Sequence, residues 1–361
     1  MSTLSVDIRF PSLYNFVLSG ASLENEESLT SASRKGGISM SWFLFALISL
    51  LGWGFADLFY KEGSDEEDSC SHLKIAVWVG LVMGVCAFAL FPFSETLKDC
   101  SSLRDFLKMM LQYSPASLCY IISMVIGYAG LRYLELSIVS PVQNASGALS
   151  AVAMFLFFLF RGRIASFTEA FGTLDIIGTV LIVVGVLALA FVEQRLSRAE
   201  TELPKEDRRY RFGALALLFP LLYCLFDTCG TAADGIILDE ETGLGLGEID
   251  IIILYGITFL LAGLGCFLYL LIKKKPYQPF RKSEWPKAVA ACCEEFGQVF
   301  YVYAMAKSPM LAAPMVASYC IVSVLLSRIF LKEKPEKSKY ACIFPVIAGI
   351  VLLGISEGLA G

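Results

Sequence analysis

From Ser41 to Ser356 the chain alternates apolar runs of about 20 residues with short polar stretches. The runs fall at Ser41–Tyr60, Leu73–Phe93, Ser114–Tyr133, Ser137–Phe160, Gly172–Val192, Phe212–Ala233, Ile249–Ile272, Lys287–Ala306, Met310–Leu331 and Tyr340–Ser356. Runs of this length cross a hydrocarbon core about 30 Å thick as helices, and a helix satisfies its own backbone polar groups there. The pattern therefore predicts an all-α membrane protein with about ten transmembrane helices. Residues 1–40 are polar and Ser-rich, without the apolar core of a signal peptide, and are expected to form a disordered tail. Met40 stands directly before the first run, so the tail reads as an upstream extension.

A polar connector, residues 193–211, divides the runs into two sets of five, residues 41–192 and 212–357. The two sets look alike. An acidic loop follows the first helix of each, Gly63–Asp68 and Asp239–Asp250. A basic loop follows the second, with Lys98, Arg104 and Lys108 in one and Lys273–Lys275, Arg281 and Lys282 in the other. The fourth helix opens at Pro141 or Pro314 and ends in charge, and the fifth carries Gly178 and Gly185 or Gly349 and Gly354. Even the first-helix aspartates, Asp57 and Asp227, correspond. Five is an odd number, so duplicated halves point in opposite directions: two inverted repeats, with a site expected at their interface near the bilayer midplane. Ten spans put both termini on one side of the membrane.

Composition narrows the function. Only 17% of the 361 residues are charged and 56% are hydrophobic, against about 25% charged in soluble domains. Nucleic acid is not an expected partner. Most of the 11 cysteines lie inside apolar runs, no CxxC pair occurs, and His72 is the one histidine. Small apolar filler is the reading of the cysteines, and no metal or cofactor is expected.

The candidate chemistry sits in Pro286–Ala306, where Glu294 and Glu295 interrupt an otherwise apolar run. They lie about 12–13 Å from its start at 1.5 Å per residue, deep in the bilayer. A carboxylate there costs at least ~2.5 kcal/mol, so it faces protein or a wet cavity. Glu294, Gln298 and Tyr301 fall at i, i+4 and i+7 and share one helix face, while Glu295 points about 100° away. Two adjacent carboxylates at low dielectric resist double ionisation, which suits a proton-coupling or cation-recognising role as well as a polar clasp between helices. Asp57 and Asp227 recur near the far ends of their helices, and Asp57 also stands within reach of Lys61. Asn144, after Pro141, suits either solute binding near a proline-freed carbonyl or an interhelical hydrogen bond. Gln143, Ser318 and Tyr319 hold similar positions.

The run Pro314–Pro335, with its Lys332-Glu333-Lys334 exit, followed by Ala348–Gly354, resembles the C-terminal unit of the EamA-like family of drug/metabolite transporters. Pro141–Arg163 with Ile177–Gly185 looks like the same unit in the first half, with Arg161-Gly162-Arg163 in place of the usual Glu-bearing exit. The resemblance implies ten helices in paired inverted repeats and ATP-independent transport of small metabolites. The expected function is a secondary transporter for a small solute, proton-coupled and resident in the cell membrane as a multi-pass protein. The alternatives are an integral membrane enzyme or a membrane scaffold or sensor. No P-loop or HExxH motif is present to supply ATP use or metal-assisted hydrolysis.

Overall fold

The computed structural model describes residues 41–65, 67–98, 100, 102–134, 136–164, 171–200, 216, 218–239, 243–275, 277–332 and 337–360. The expected N-terminal tail and residues 201–211 of the expected connector lie outside them. The regular elements among the described residues are helical: α1 (Trp42–Gly63), α2 (Ser71–Leu90), α3 (Leu103–Gly130), α4a (Leu136–Asn144), α4b (Ser146–Phe160), α5 (Thr173–Glu200), α6 (Leu218–Ile237), α7 (Glu248–Ile272), α8 (Trp285–Lys307), α9a (Pro309–Ala317), α9b (Cys320–Leu326) and α10 (Lys337–Ala360). Counting α4 and α9 once each, that makes ten helices.

Seven described helices are long and apolar enough to cross a membrane, and α5 adds the shorter apolar stretch Thr173–Leu189. The two outside this set, α6 and α8, are those whose runs are interrupted by Asp227 and Asp234 or by Glu294 and Glu295. Large apolar side chains such as Val85, Phe88, Val184, Leu264, Leu268 and Val351 point outward, while Ser140, Asn144, Asp234, Glu295 and Gln298 are buried. This distribution, apolar outside and polar within, is what a lipid surround selects.

Three boundaries differ from the sequence reading. Helix α3 begins at Leu103, capped by the Ser102 side chain accepting from the Asp105 N–H at 3.2 Å, so Arg104 and Lys108 are on the helix and not in a loop. A polar first turn hides such a start from a hydropathy pattern. Asp250 belongs to the first turn of α7, where it accepts the Gly247 N–H at 3.3 Å, and it also takes the Ser94 hydroxyl. The third difference is that Pro141 and Pro314 do not open α4 and α9. Each lies inside a first half-helix that starts five residues earlier, at Leu136 or Pro309, and the interruption comes after it, at Ala145 and at Ser318–Tyr319.

At both interruptions, local hydrogen bonds replace regular ones. Asn144 Nδ2 donates to the Ser140 carbonyl at 2.8 Å. In α9, the Ser318 and Tyr319 N–H groups bond three residues back, to Met315 and Val316, and the Ser318 hydroxyl also donates to Met315 O at 2.5 Å. Tightened turns of this kind let a helix re-aim in mid-membrane without leaving carbonyls bare.

Helix α1 packs on α8, α3 on α6, α2 on α7, α4b on α9a and α5 on α10. Small residues set the crossings: a Cβ on Gly178 would meet Gly349 O at 3.0 Å, and one on Gly147 would meet the Ala317 methyl at 2.2 Å. Side chains on α1 and α8 meet in reverse order, Phe45 by Tyr303 and Gly63 by Pro286. On α3 and α6, Tyr120 meets Thr231 and Gly130 meets Phe219. Helices α1 and α3 thus finish at one end of the bundle, where Lys61 Nζ donates to the Leu131 and Leu134 carbonyls at 2.7 and 3.0 Å. Helices α6 and α8 finish at the other, where Gly235 lies against Met305.

Candidate functional site

The two interruptions flank a central cavity of about 50 Å³, room for a few waters at ~10–15 Å³ each. Asp57 from α1, Asp227 from α6 and Glu294 from α8 line it. So do the amides Gln143, Asn144 and Gln298, and the rings of Trp53, Tyr60, Tyr120, Tyr128, Tyr223, Tyr255, Tyr301 and Tyr319. No Lys, Arg or His is among the described residues that line it.

Helix geometry explains why these side chains meet. Glu294, Gln298 and Tyr301 share a face of α8, and that face turns inward because Gly297 lets α8 approach the Trp53 indole of α1. The Trp53 N–H donates to the Glu294 carbonyl at 3.2 Å, and the Trp53 ring lies 5.0 Å from that of Tyr301. Asp57 Oδ2 accepts the hydroxyls of Ser140 and Ser323 at 2.6 and 2.7 Å, so it ties α1 to α4a and α9b. Asp227 Oδ2 accepts the Ser146 hydroxyl at 2.6 Å, one residue past the α4 interruption. Both aspartates face the central cavity and not the far interface that the sequence suggested. In α6 the described helix starts at Leu218, which puts Asp227 near its middle.

Of the seven candidate residues, six line the cavity: Asp57, Asn144, Asp227, Glu294, Gln298 and Tyr301. Glu295 does not. It is buried on the side of α8 that faces Cys86 of α2, and neither of its oxygens has a hydrogen bond of full geometry among the described residues. The Nε2 donors of Gln143 and Gln298 are likewise buried and unpaired at the cavity wall. A buried amide donor without an acceptor is uncommon in a settled interior and marks a place where a solute acceptor fits.

Sequence reasoning missed Tyr60, Tyr223 and Tyr255, and it missed Asp234. Thr231 and Asp234 follow Asp227 at i+4 and i+7, the same spacing as on α8, so the period-3.6 test that singled out Glu294 would have found them.

The fold and cavity define a class: a multi-pass helical membrane protein whose polar groups converge on interrupted helices. Residues 242–355 match the model of the EamA-like transporter family, within the drug/metabolite transporter superfamily. The matched residues contain the Pro314–Gly354 region that carries the resemblance, and the first-half unit lies outside them. A solved crystal structure superposes with a TM-score of 0.56 at 13% identity, covering 87% of this chain and 96% of that one; at that identity it speaks for the fold alone. No curated protein matches.

Proposed function

We propose that the protein is a secondary transporter, built of two inverted five-helix repeats with ten spans, which moves a small positively charged solute through the central cavity in exchange for protons. The observation that carries this reading is the convergence of Asp57, Asp227 and Glu294, with three amides and eight aromatic rings and no basic side chain, at the level of two helix interruptions. Carboxylates recognise a cation, and aromatic faces add cation–π attraction, about 0.5–2 kcal/mol each. The Gln143 and Gln298 donors suit an acceptor on the same solute. Discontinuous helices at the midplane of paired repeats are a recurring transporter design, and the family match supports movement of small solutes.

The helix pairing supports the inverted repeat. Helices 2 and 7, 4 and 9, and 5 and 10 pack on each other, while 1 pairs with 8 and 3 with 6. A two-fold relation exchanging 1 with 6, 2 with 7 and 3 with 8 produces this set. Glu294 is assigned the coupling role: it faces the solute space, so proton and cation compete for one carboxyl. Glu295 is assigned a supporting role on the α2 side. Both termini are placed on one side of the membrane.

The test is flux into proteoliposomes under an imposed pH gradient, with a panel of small organic cations, zwitterions and anions. Cation flux that follows the gradient, and is lost in Glu294→Gln, is the expected result. Flux confined to anions, or unchanged in Glu294→Gln, overturns the reading.

A further inference from the structure

Below the cavity, toward the end where α6 and α8 finish, lies a buried carboxyl that does not line the cavity. Asp234 is 0% exposed, and neither of its oxygens has a hydrogen bond of full geometry among the described residues. The hydroxyls of Tyr113 and Tyr120 lie beside it. Tyr113 is also fully buried, and its hydroxyl is likewise unpaired. Tyr120 connects this pocket upward: its hydroxyl donates to Thr231 Oγ1 at 3.2 Å and shares a hydrogen bond with the Tyr301 hydroxyl at 2.8 Å. Both tyrosines line the cavity. On the other side, Gly235 is covered by Met154, Met305 and Pro309. Beyond them is a vestibule of about 440 Å³ holding Arg163, Asp239 and Lys307. The titratable groups facing Asp234 are Tyr113 and Tyr120 from α3, Tyr301 from α8, Tyr255 from α7 and Asp227 two turns back on its own helix.

An ionised carboxylate without full hydrogen bonds is not sustained in a dry interior, whereas the protonated form is. We infer that Asp234 is a second proton-binding site, set between the cavity and the α6/α8 end and joined to the cavity by the hydroxyls of Tyr120 and Tyr301. The inference rests on the transporter reading. In the transfer, the Tyr120 hydroxyl turns its proton from Thr231 toward Tyr301, and the Asp234 proton then passes to the Tyr120 oxygen as the Tyr120 proton passes to Tyr301 and the Tyr301 proton enters the cavity. Each hydroxyl ends neutral, one proton leaves Asp234 and one arrives. The unbranched side chains of Met154 and Met305 form a cover that can shift to admit water from the vestibule, after which the carboxylate is reloaded.

The test uses the full chain in lipid nanodiscs with no solute, so it stands apart from transport. Infrared difference spectra through a pH series read the carboxyl C=O band and its loss on ionisation. A titrating band that survives in Glu294→Gln and disappears in Asp234→Asn is expected. A titration unchanged by Asp234→Asn overturns the assignment. Should Asp234→Asn not fold, Tyr113→Phe and Tyr120→Phe carry the test, since each keeps its ring and removes one hydroxyl facing the carboxyl. A shifted midpoint in either supports the site, and an unmoved midpoint in both overturns it. Proton titration at Asp234 without flux of any cation in proteoliposomes sinks the transporter reading and leaves this site standing; flux without that titration does the reverse.

Discussion

The two halves of the bundle match in packing and differ in chemistry. Trp53 covers Gly297 and Tyr223 covers Gly127; Asp57 and Asp227 each accept serine hydroxyls; Gly147 meets Ala317. In each case the second-half residue of a kind stands 170 positions after the first: 53 and 223, 57 and 227, 127 and 297, 147 and 317. The same spacing sets Glu294 against Met124, Tyr301 against Leu131, and Tyr120 against Ala290. What recurs holds helices together. What fails to recur is the carboxyl and the hydroxyl pair at the cavity. A duplicated frame fixes where side chains point, and divergence at a few of those positions supplies one-sided chemistry.

The largest expected effect comes from erasing that difference. Glu294→Met gives α8 the residue its counterpart position carries, so the helix should still pack, with Met124 as evidence that a thioether fits such a site. Proton-driven flux should fall at least about tenfold, equivalent to ~1.4 kcal/mol. Retained pH-driven flux with a folded Glu294→Met protein would mean the asymmetry is incidental.

Next come the helix crossings. Gly147→Ala puts a methyl 2.2 Å from the Ala317 methyl and 2.7 Å from the Ala313 carbonyl, and backbone cannot easily yield. Overpacking of this kind costs about 1–3 kcal/mol, read as a lower thermal midpoint in detergent. The exchange Gly147→Ala with Ala317→Gly moves the methyl to the other partner and should recover the part of the loss due to the Ala317 methyl, leaving the part due to the Ala313 carbonyl. Gly265→Ala is the control: nothing lies within 4 Å of its added Cβ, so no loss is expected there. A smaller difference separates the aspartates. Asp57 accepts two hydroxyls and Asp227 one among the bonds described above, so Asp57→Asn should cost more than Asp227→Asn by about 1 kcal/mol. Equal losses would show that the Ser323 bond adds nothing to the fold.

The seven helices long and apolar enough to span, the 170-residue correspondence of Asp57 with Asp227 and the shared face of Glu294, Gln298 and Tyr301 were legible because period and length encode them directly. The rest of the aromatic surround of the cavity, beyond Trp53, Tyr120, Tyr128, Tyr301 and Tyr319, was not. Tyr60, Tyr223 and Tyr255 look in sequence like any membrane-helix filler, and only the packing of four helices turns them inward. Asp234 differs: its spacing from Asp227 shows the shared face, but three residues from the end of α6 it reads as a terminal, water-facing acid, and its burial depends on Tyr113, 121 positions earlier on α3. The helix interruptions were misplaced because a proline marks a lost donor, while the backbone adjusts one turn later where Asn144 and Ser318 can bond to carbonyls.

The smallest effect concerns the acidic loops that follow α1 and α6, which the sequence paired. They are held differently. Asp239 bonds Arg163, at the end of α4b, at 3.1 Å, so that loop is tied to a distant helix. Asp68 bonds Lys74 of the adjacent α2 at 2.6 Å, with side chains 24% and 12% exposed. Burial alone would raise the Asp68 carboxyl, but the hydrogen bonds from Lys74 and the Cys70 amide and the charges of Lys74 and Arg132 outweigh it and hold the carboxyl below its usual value. A group whose folded value is depressed adds stability that is present above the ordinary carboxylate value near about 3.9 and lost as pH falls through the folded value. A partly exposed pair of this kind contributes about 0.2–1 kcal/mol. Asp68→Asn should therefore lower the thermal midpoint slightly at neutral pH and by less at about pH 3, with solute flux unchanged. The same small loss at both pH values would mean that Asp68 acts through its Cys70 turn and not through its charge, and the two loops would then differ in shape alone.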